Sequence, residues 1–129
     1  MRTSNRGFTL IELLIVVVII GILSAIAIPK FASTKERAFL ATMKSDLRNL
    51  VTAQEAYLSD NGAYYGGAIP NVAFPYRPST GTTVTMVSIV GGGWSATASY
   101  TGTAKTCAIF YGNAAVLAPA TANGEPKCA

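Results

Sequence analysis

The hydrophobic pattern of this chain changes character twice along its length. From Phe8 to Ile28 apolar residues fall on every face of a would-be helix, and Glu12 is the one residue of that run that carries a charge. A helix over the run rises about 31 Å, roughly the thickness of a bilayer's hydrocarbon core. Between residues 30 and 58 the apolar positions narrow to a single stripe. Phe39, Met43, Leu47, Leu50 or Val51, and Tyr57 or Leu58 follow one another at steps of three and four, and Leu40 widens the stripe. Lys35, Glu36, Arg37, Lys44, Ser45, Arg48, Asn49 and Glu55 largely occupy the other faces. Pro29 lies between the two halves. It is expected to bend the helix or interrupt its hydrogen bonding without ending it, because no loop-like cluster follows. The stop comes at Ser59-Asp60-Asn61-Gly62, where Gly62 suits a left-handed cap. Phe8 to Leu58 therefore predicts one spine of about 75 Å if fully helical. Its first half asks for an apolar surrounding and its second for one packed face.

Residues 63 to 82 lose all period. Gly66-Gly67, Pro70, Pro75, Pro78 and Gly81 make an irregular connection, with Tyr64, Tyr65, Phe74 and Tyr76 set among them. Those aromatics either pin the loop to a core or offer a contact surface. The period then becomes two. Thr83 to Val90 alternates as a strand with Val84 and Met86 on one face, and Gly91-Gly92-Gly93 turns the chain. Trp94, Ala96, Ala98 and Tyr100 then alternate with Ser95, Thr97, Ser99 and Thr101, which reads as a strand with one buried face. Lys105 to Tyr111 makes the next strand, ended by Gly112-Asn113. The expected fold class is α+β: a long N-terminal helical spine packed through its amphipathic half against a small antiparallel sheet of three to four strands. The tail from Ala114 to Ala129 holds Pro119 and Pro126 and looks too irregular to stay in place alone.

Cysteine usage supplies the tie. The chain has two cysteines, Cys107 and Cys128, both late in the sequence. In a chain with a membrane-directed N-terminal run, such a pair reads as an extracytoplasmic disulfide. The alternative is a metal site, and it lacks ligands: there is no histidine, and Glu125 is the single acidic residue after Asp60. Charge adds little. The formal net charge is +4, and without Arg2 and Arg6 it falls to +2. No Lys/Arg cluster interleaves with aromatics, so nucleic acid is not indicated as a partner. Catalysis is not expected either. No histidine or patterned carboxylate pair serves acid–base work, and Gly91-Gly92-Gly93 precedes a strand, as a hairpin turn does and a phosphate cradle does not. No catalytic residue, metal or cofactor is assigned.

The start of the chain admits two readings. Met1 to Gly7 is short, polar and doubly basic, which keeps it on the cytoplasmic side and sends the rest outward. A secretory signal peptide fits this, with Ala25-Ile26-Ala27 as a small-x-small cleavage site. Glu12 at the front of the apolar run opposes it, and so does continuation of the helix past Pro29. Gly7-Phe8-Thr9-Leu10-Ile11-Glu12, followed by the apolar run and Ala27-Ile28-Pro29, resembles the type IV prepilin N-terminus. That family includes type IV pilins, the pseudopilins of type II secretion and DNA-uptake pilins. The resemblance in motif covers roughly residues 2–40; the remainder is similar only in architecture, down to a disulfide-closed C-terminal region.

The resemblance implies a division into leader 1–7, membrane and filament-core helix 8–29, amphipathic spine 30–60, connecting loop 61–82, and sheet with disulfide region 83–129. It implies cleavage after Gly7 by a prepilin peptidase, N-methylation of Phe8 by the same type of enzyme, and pairing of Glu12 with the α-amino group of a neighbouring Phe8. Gly21 and Pro29 fall where pilin helices soften on assembly. The implied partners are copies of the chain itself, the inner membrane before assembly, and the pilus assembly platform. The implied location is the inner membrane, crossed once, then a surface pilus. Electrostatics agree with a special role for Glu12, since a charge at mid-bilayer costs about 2.5–3.5 kcal/mol on insertion scales and less near the interface. A buried charge without a partner is strongly disfavoured.

The reading favoured is therefore a structural subunit of a type IV pilus. The second is a pseudopilin, a kind of protein that typically carries an acidic calcium loop late in the chain, where this one has only Glu125. The third is a small secreted binding domain cut after Ala27, with Tyr64 to Tyr76 as its contact loop. Stacking of Phe8, Phe31, Phe39 and Tyr57 along the spine as a charge-carrying path is set against the simpler expectation that Phe39 and Tyr57 belong to the core stripe and Phe31 to inter-helix packing. Arg77, Lys105 and Lys127 make the sheet domain mildly basic, which alone says little.

Overall fold

The computed structural model describes residues 7–129; the basic positions Arg2 and Arg6 lie outside the described residues. A single helix, α1, runs from Leu10 to Asn61, with Pro29 inside it. The helix starts two residues later and ends three residues beyond the spine expected from the periodicity. Its end is nonetheless built from the stop signal. Gly62 takes a left-handed φ of 72° and its N–H donates to the Leu58 carbonyl at 2.8 Å, while the Asn61 side chain donates to the Tyr57 carbonyl. The Leu58 carbonyl is one that a helix end leaves open.

Compactness divides the chain at Lys35 and Glu36. The first unit is the apolar part of α1. From Leu10 to Ile28 none of its large apolar side chains is buried, the least exposed being Val16 at 45%. The run is long and apolar enough to cross a membrane.

The second unit begins at Glu36 and has a true core. Strands β1 (Thr82–Val90), β2 (Gly93–Tyr100), β3 (Thr106–Gly112) and β4 (Lys127–Cys128) form one sheet in that order. All three pairings are antiparallel. Register brings Val84 opposite Ala98 and Ala98 opposite Cys107; one step on, Met86 faces Ala96 and Ala96 faces Ile109. These side chains share the face that packs with Met43, Leu47 and Leu50 of α1. Ala96 and Ala98 lie at the centre of that face and are fully covered. Their small size leaves room between sheet and helix for Met43, Leu47 and Leu50, and Trp94 joins the same layer.

Two expectations change at this point. The sheet was expected to bury one face, yet Ser95, Ala108 and Phe110 on the opposite face are buried as well. Ala108 and Phe110 cluster with Ala114 and Ala120, and Leu117 packs on them. The tail after β3 folds over the far face of the sheet, and its return adds the fourth strand beside β3. The Cys107–Cys128 disulfide joins partners in that last pairing. The aromatic loop also resolves. Tyr65, Phe74 and Tyr76 are buried in the core, with Tyr65 stacked on Phe74 and Tyr57 edge-on to both. Three aromatics of the Tyr64 to Tyr76 loop are thereby taken up by packing, while Tyr64 is half-buried and Val72 stays fully exposed. Tyr57 packs against the core, as the stripe predicts, and half-buried Phe39 stacks on Tyr100 at 4.3 Å between centroids.

Candidate functional site at the start of the spine helix

Glu12 is anomalous in sequence because a charge stands in an apolar run. Its surroundings remove much of the anomaly. Thr9 precedes the first helical residue and Glu12 lies three positions on, the spacing of a capping box. The Thr9 backbone N–H donates to Glu12 Oε2 at 2.8 Å, and the Thr9 hydroxyl donates to the same oxygen at 2.6 Å. In return the Glu12 N–H donates to Thr9 Oγ1 at 3.2 Å. Two backbone donors that a helix start leaves open are thus satisfied by two side chains. The carboxylate also lies at the positive end of the helix dipole. Both bonds that Glu12 accepts fall on Oε2, and Oε1 has no hydrogen-bond partner among the described residues. The cap therefore leaves one carboxylate oxygen available to an outside cation.

Phe8 and Leu13 occupy the positions either side of this cap, and both project outward, 83% and 61% exposed. Gly7 is exposed and lies before the helix. Of the residues expected to act in processing and assembly, Gly7, Phe8 and Glu12 thus fall at one exposed helix start. Gly21 lies in open space, where a Cβ would meet nothing within 4 Å. Pro29 lies in continuous helix, and the Ser33 and Thr34 hydroxyls just after it both turn back onto the Lys30 carbonyl. Such back-bonding competes with the helix ladder and weakens it slightly.

Three residues escape a reading based on charge and period alone. Thr9 is one, although Thr-x-x-Glu ahead of an apolar run is its signal. The others are polar residues buried on the packed face of α1. Gln54 continues the stripe one step past Leu50, where an apolar residue is expected. Its amide pairs twice with the Tyr65 backbone, donating from Nε2 to the carbonyl and accepting at Oε1 from the N–H, each at 2.8 Å. Asp46 accepts from the Ser79 N–H and hydroxyl, while its carbonyl accepts from the Tyr76 hydroxyl at 2.7 Å. Burial, with the Asp46 charge adding, drives the Tyr76 phenol well above the usual tyrosine range. Burial also pushes Tyr64 up to about 12, helped by its hydrogen bond to Glu55 and by that carboxylate's charge. Both ends of the connecting loop are therefore held to the helix by buried polar groups with their partners supplied.

One long helix, apolar and uncovered through its first half and packed on a disulfide-tied sheet through its second, defines a class of protein that cannot remain as it is in water. Its N-terminal region matches the prokaryotic N-terminal methylation motif over residues 2–28. Over 60 residues the chain is 53% identical to the type IV major pilin protein PilA of Myxococcus xanthus, a match spanning 46% of this chain and 27% of that protein. It is 47% identical over 60 residues to the type IV major fimbrial protein FimA of Dichelobacter nodosus, covering 46% of this chain and 38% of FimA. It is 41% identical over 63 residues to the type II secretion system core protein G of Pseudomonas aeruginosa, covering 49% and 44%. In each case the chain spans less than half of the relative's length. The chain's N-terminal region is thus similar to those of type IV pilins and of type II secretion core proteins.

Proposed function

We propose that this chain is the structural subunit of a type IV pilus, held in the inner membrane by the first half of α1 and then drawn into a filament of its own copies. The observation that carries this reading is the apolar run itself, uncovered on every side and headed by a capped carboxylate with one oxygen to spare. Burial of each large apolar side chain is worth about 1.5–3 kcal/mol, so the run needs a non-aqueous surrounding. A bilayer supplies one, and a bundle of like helices supplies another.

Glu12 distinguishes the two. In the bilayer the Thr9 cap suffices, near an interface where the charge is tolerated. In a helix bundle the same carboxylate is buried and needs a cation. Cleavage between Gly7 and Phe8 creates one, the α-amino group of Phe8, which an uncleaved chain lacks. A neighbour's amine reaching Oε1 would leave the Thr9 bonds to Oε2 intact, so the helix start keeps its cap while the charge is neutralised. That pairing also sets axial register, because one neighbour alone brings its amine beside the acid. In this account the other partners are the prepilin peptidase, which also methylates Phe8, and the assembly platform. Gly21 and the Pro29 to Thr34 segment supply the compliance that such packing requires.

The second reading is a pseudopilin, favoured by the similarity to core protein G. The Cys107–Cys128 closure of the late chain, together with its single acidic residue, Glu125, supports the pilus subunit instead. Intact-mass and N-terminal analysis of sheared surface filaments tests the proposal. The expected result is this chain as the bulk component, beginning at a methylated Phe8. A mature chain beginning at Ile28, or filaments that lack the chain, would contradict it.

A further inference from the structure

The outward face of α1 within the second unit carries an unbalanced line of charge. Arg37, Lys44, Arg48 and Glu55 are spaced seven, four and seven residues apart, which places them within about 40° of one another around the helix. Arg37, Arg48 and Glu55 are exposed and Lys44 is half-buried. Beside them on this face stand Ala41, Ser45, Thr52, Ala56 and Ser59, all exposed and none larger than threonine. A second helix can therefore come close without displacing bulk.

Among the described residues, none of the charges on this line forms an ion pair, although Lys44 lines a shallow pocket with Glu125 and Lys127. Glu36 is taken by Lys105 at 3.2 Å, the one ion pair among the described residues. Asp46 is buried and occupied by Ser79. Lys44 and Arg48 lie four apart with the same sign, an arrangement that destabilises a helix slightly. Glu55 has no cation three or four residues away on its own helix, where Val51, Thr52, Leu58 and Ser59 stand. The Tyr64 hydroxyl donates to Glu55 Oε1 at 2.9 Å, which orients the carboxylate, and Oε2 has no hydrogen-bond partner among the described residues.

The face is cationic below and anionic above, so it complements itself when two copies lie parallel and displaced along their axes. We propose that Glu55 of one copy seats between Lys44 and Arg48 of the next, an inference that rests on the filament reading and adds a second contact to it. Residues seven to eleven apart require an axial displacement of about 10–17 Å at 1.5 Å per residue. The carboxylate then relieves the repulsion between two cations while Tyr64 holds it in place. Charge pairs of this kind serve specificity and register more than raw affinity, which is what a repeating contact requires.

A charge exchange tests the pairing. Glu55→Arg and Arg48→Glu are each expected to lower the yield of sheared filaments at least tenfold, and the double variant to restore it to at least half of the wild-type yield. All four chains are expected to melt within a few degrees of one another, because both positions are exposed. No free cysteine is present, so an Arg48→Cys and Glu55→Cys chain oxidised in filaments is expected to give a ladder of covalent oligomers. Normal filament yield from both single variants, failure of the double variant to recover, or absence of the ladder overturns the pairing while leaving the filament reading intact. A wild-type chain that never enters filaments overturns both.

Discussion

At the scale of single residues, the proposed assembly and the fold both depend on polar groups placed where the surrounding chain is apolar. Thr9 and Glu12 are coupled, and removal of the cap hydroxyl separates helix capping from charge. Loss of an N-cap costs about 0.5–2 kcal/mol. Thr9→Val is therefore expected to leave insertion and cleavage unchanged and to lower filament yield several-fold, read by comparing processed chain in membranes with chain in sheared filaments. Equal yield would show that the cap is incidental to assembly. Gln54 is expected to be more sensitive than any exposed neighbour. Gln54→Leu retains much of the volume but strands the Tyr65 N–H and C=O in the core, a loss of about 1–3 kcal/mol for each buried group left unpaired. Thermal melting of the detergent-solubilised chain should show a drop of several degrees, against little change for Thr52→Ala.

Tyr76 and Tyr64 give the same domain a pH dependence. Their folded values lie above that of an unfolded tyrosine, which is about 10. The unfolded chain therefore releases these protons first as pH rises. The stabilisation is fully present below about pH 10 and is lost as pH climbs through the folded values. Melting temperature should be flat from pH 7 to 9 and fall beyond 10. In Tyr76→Phe that alkaline fall should be shallower, and an identical slope would exclude Tyr76 as its source.

At the scale of elements, most of the architecture was readable and its gaps have physical causes. The helix halves, the loop and the first three strands follow from changes of hydrophobic period, because each change marks a different environment. Period alone could not show that Gln54 and Asp46 are buried, since polar residues on a stripe look like its edge until their partners, Tyr65 and Ser79, are located far along the chain. Nor could it show the second covered face of the sheet. Ala108, Phe110, Ala114 and Ala120 are scattered over a strand and an irregular tail, so their cluster has no repeat to announce it. Of the proposed assembly site, Glu12 was evident as a lone charge. Thr9 was concealed in a short motif, and the free Oε1 depended on which oxygen the cap uses. The disulfide reflects the same division, with the pair evident from count and compartment and its place between β3 and β4 a matter of fold. Its loss, as Cys107→Ser with Cys128→Ser, is expected to cost about 3 kcal/mol in the chain-entropy model. It should also expose the Phe110 face, seen as earlier protease cleavage after Gly112; unchanged cleavage would show that apolar packing alone holds the tail.

At the scale of the whole molecule, the two units ask for different surroundings. The sheet domain closes its own core and, among the described residues, leaves Thr82 Oγ1 and Trp94 Nε1 as buried side-chain atoms without partners. The first half of α1 satisfies only its own backbone. Its side chains are exposed, and in the proposed assembly their surroundings change from lipid to like helices, with Glu12 as the group that registers the change. The direct measurement is the fate of Glu12→Leu in cells that carry the assembly machinery. The expected result is a chain inserted and cleaved as in the wild type, retained in the membrane and absent from sheared filaments. Normal surface filaments built from Glu12→Leu would contradict it.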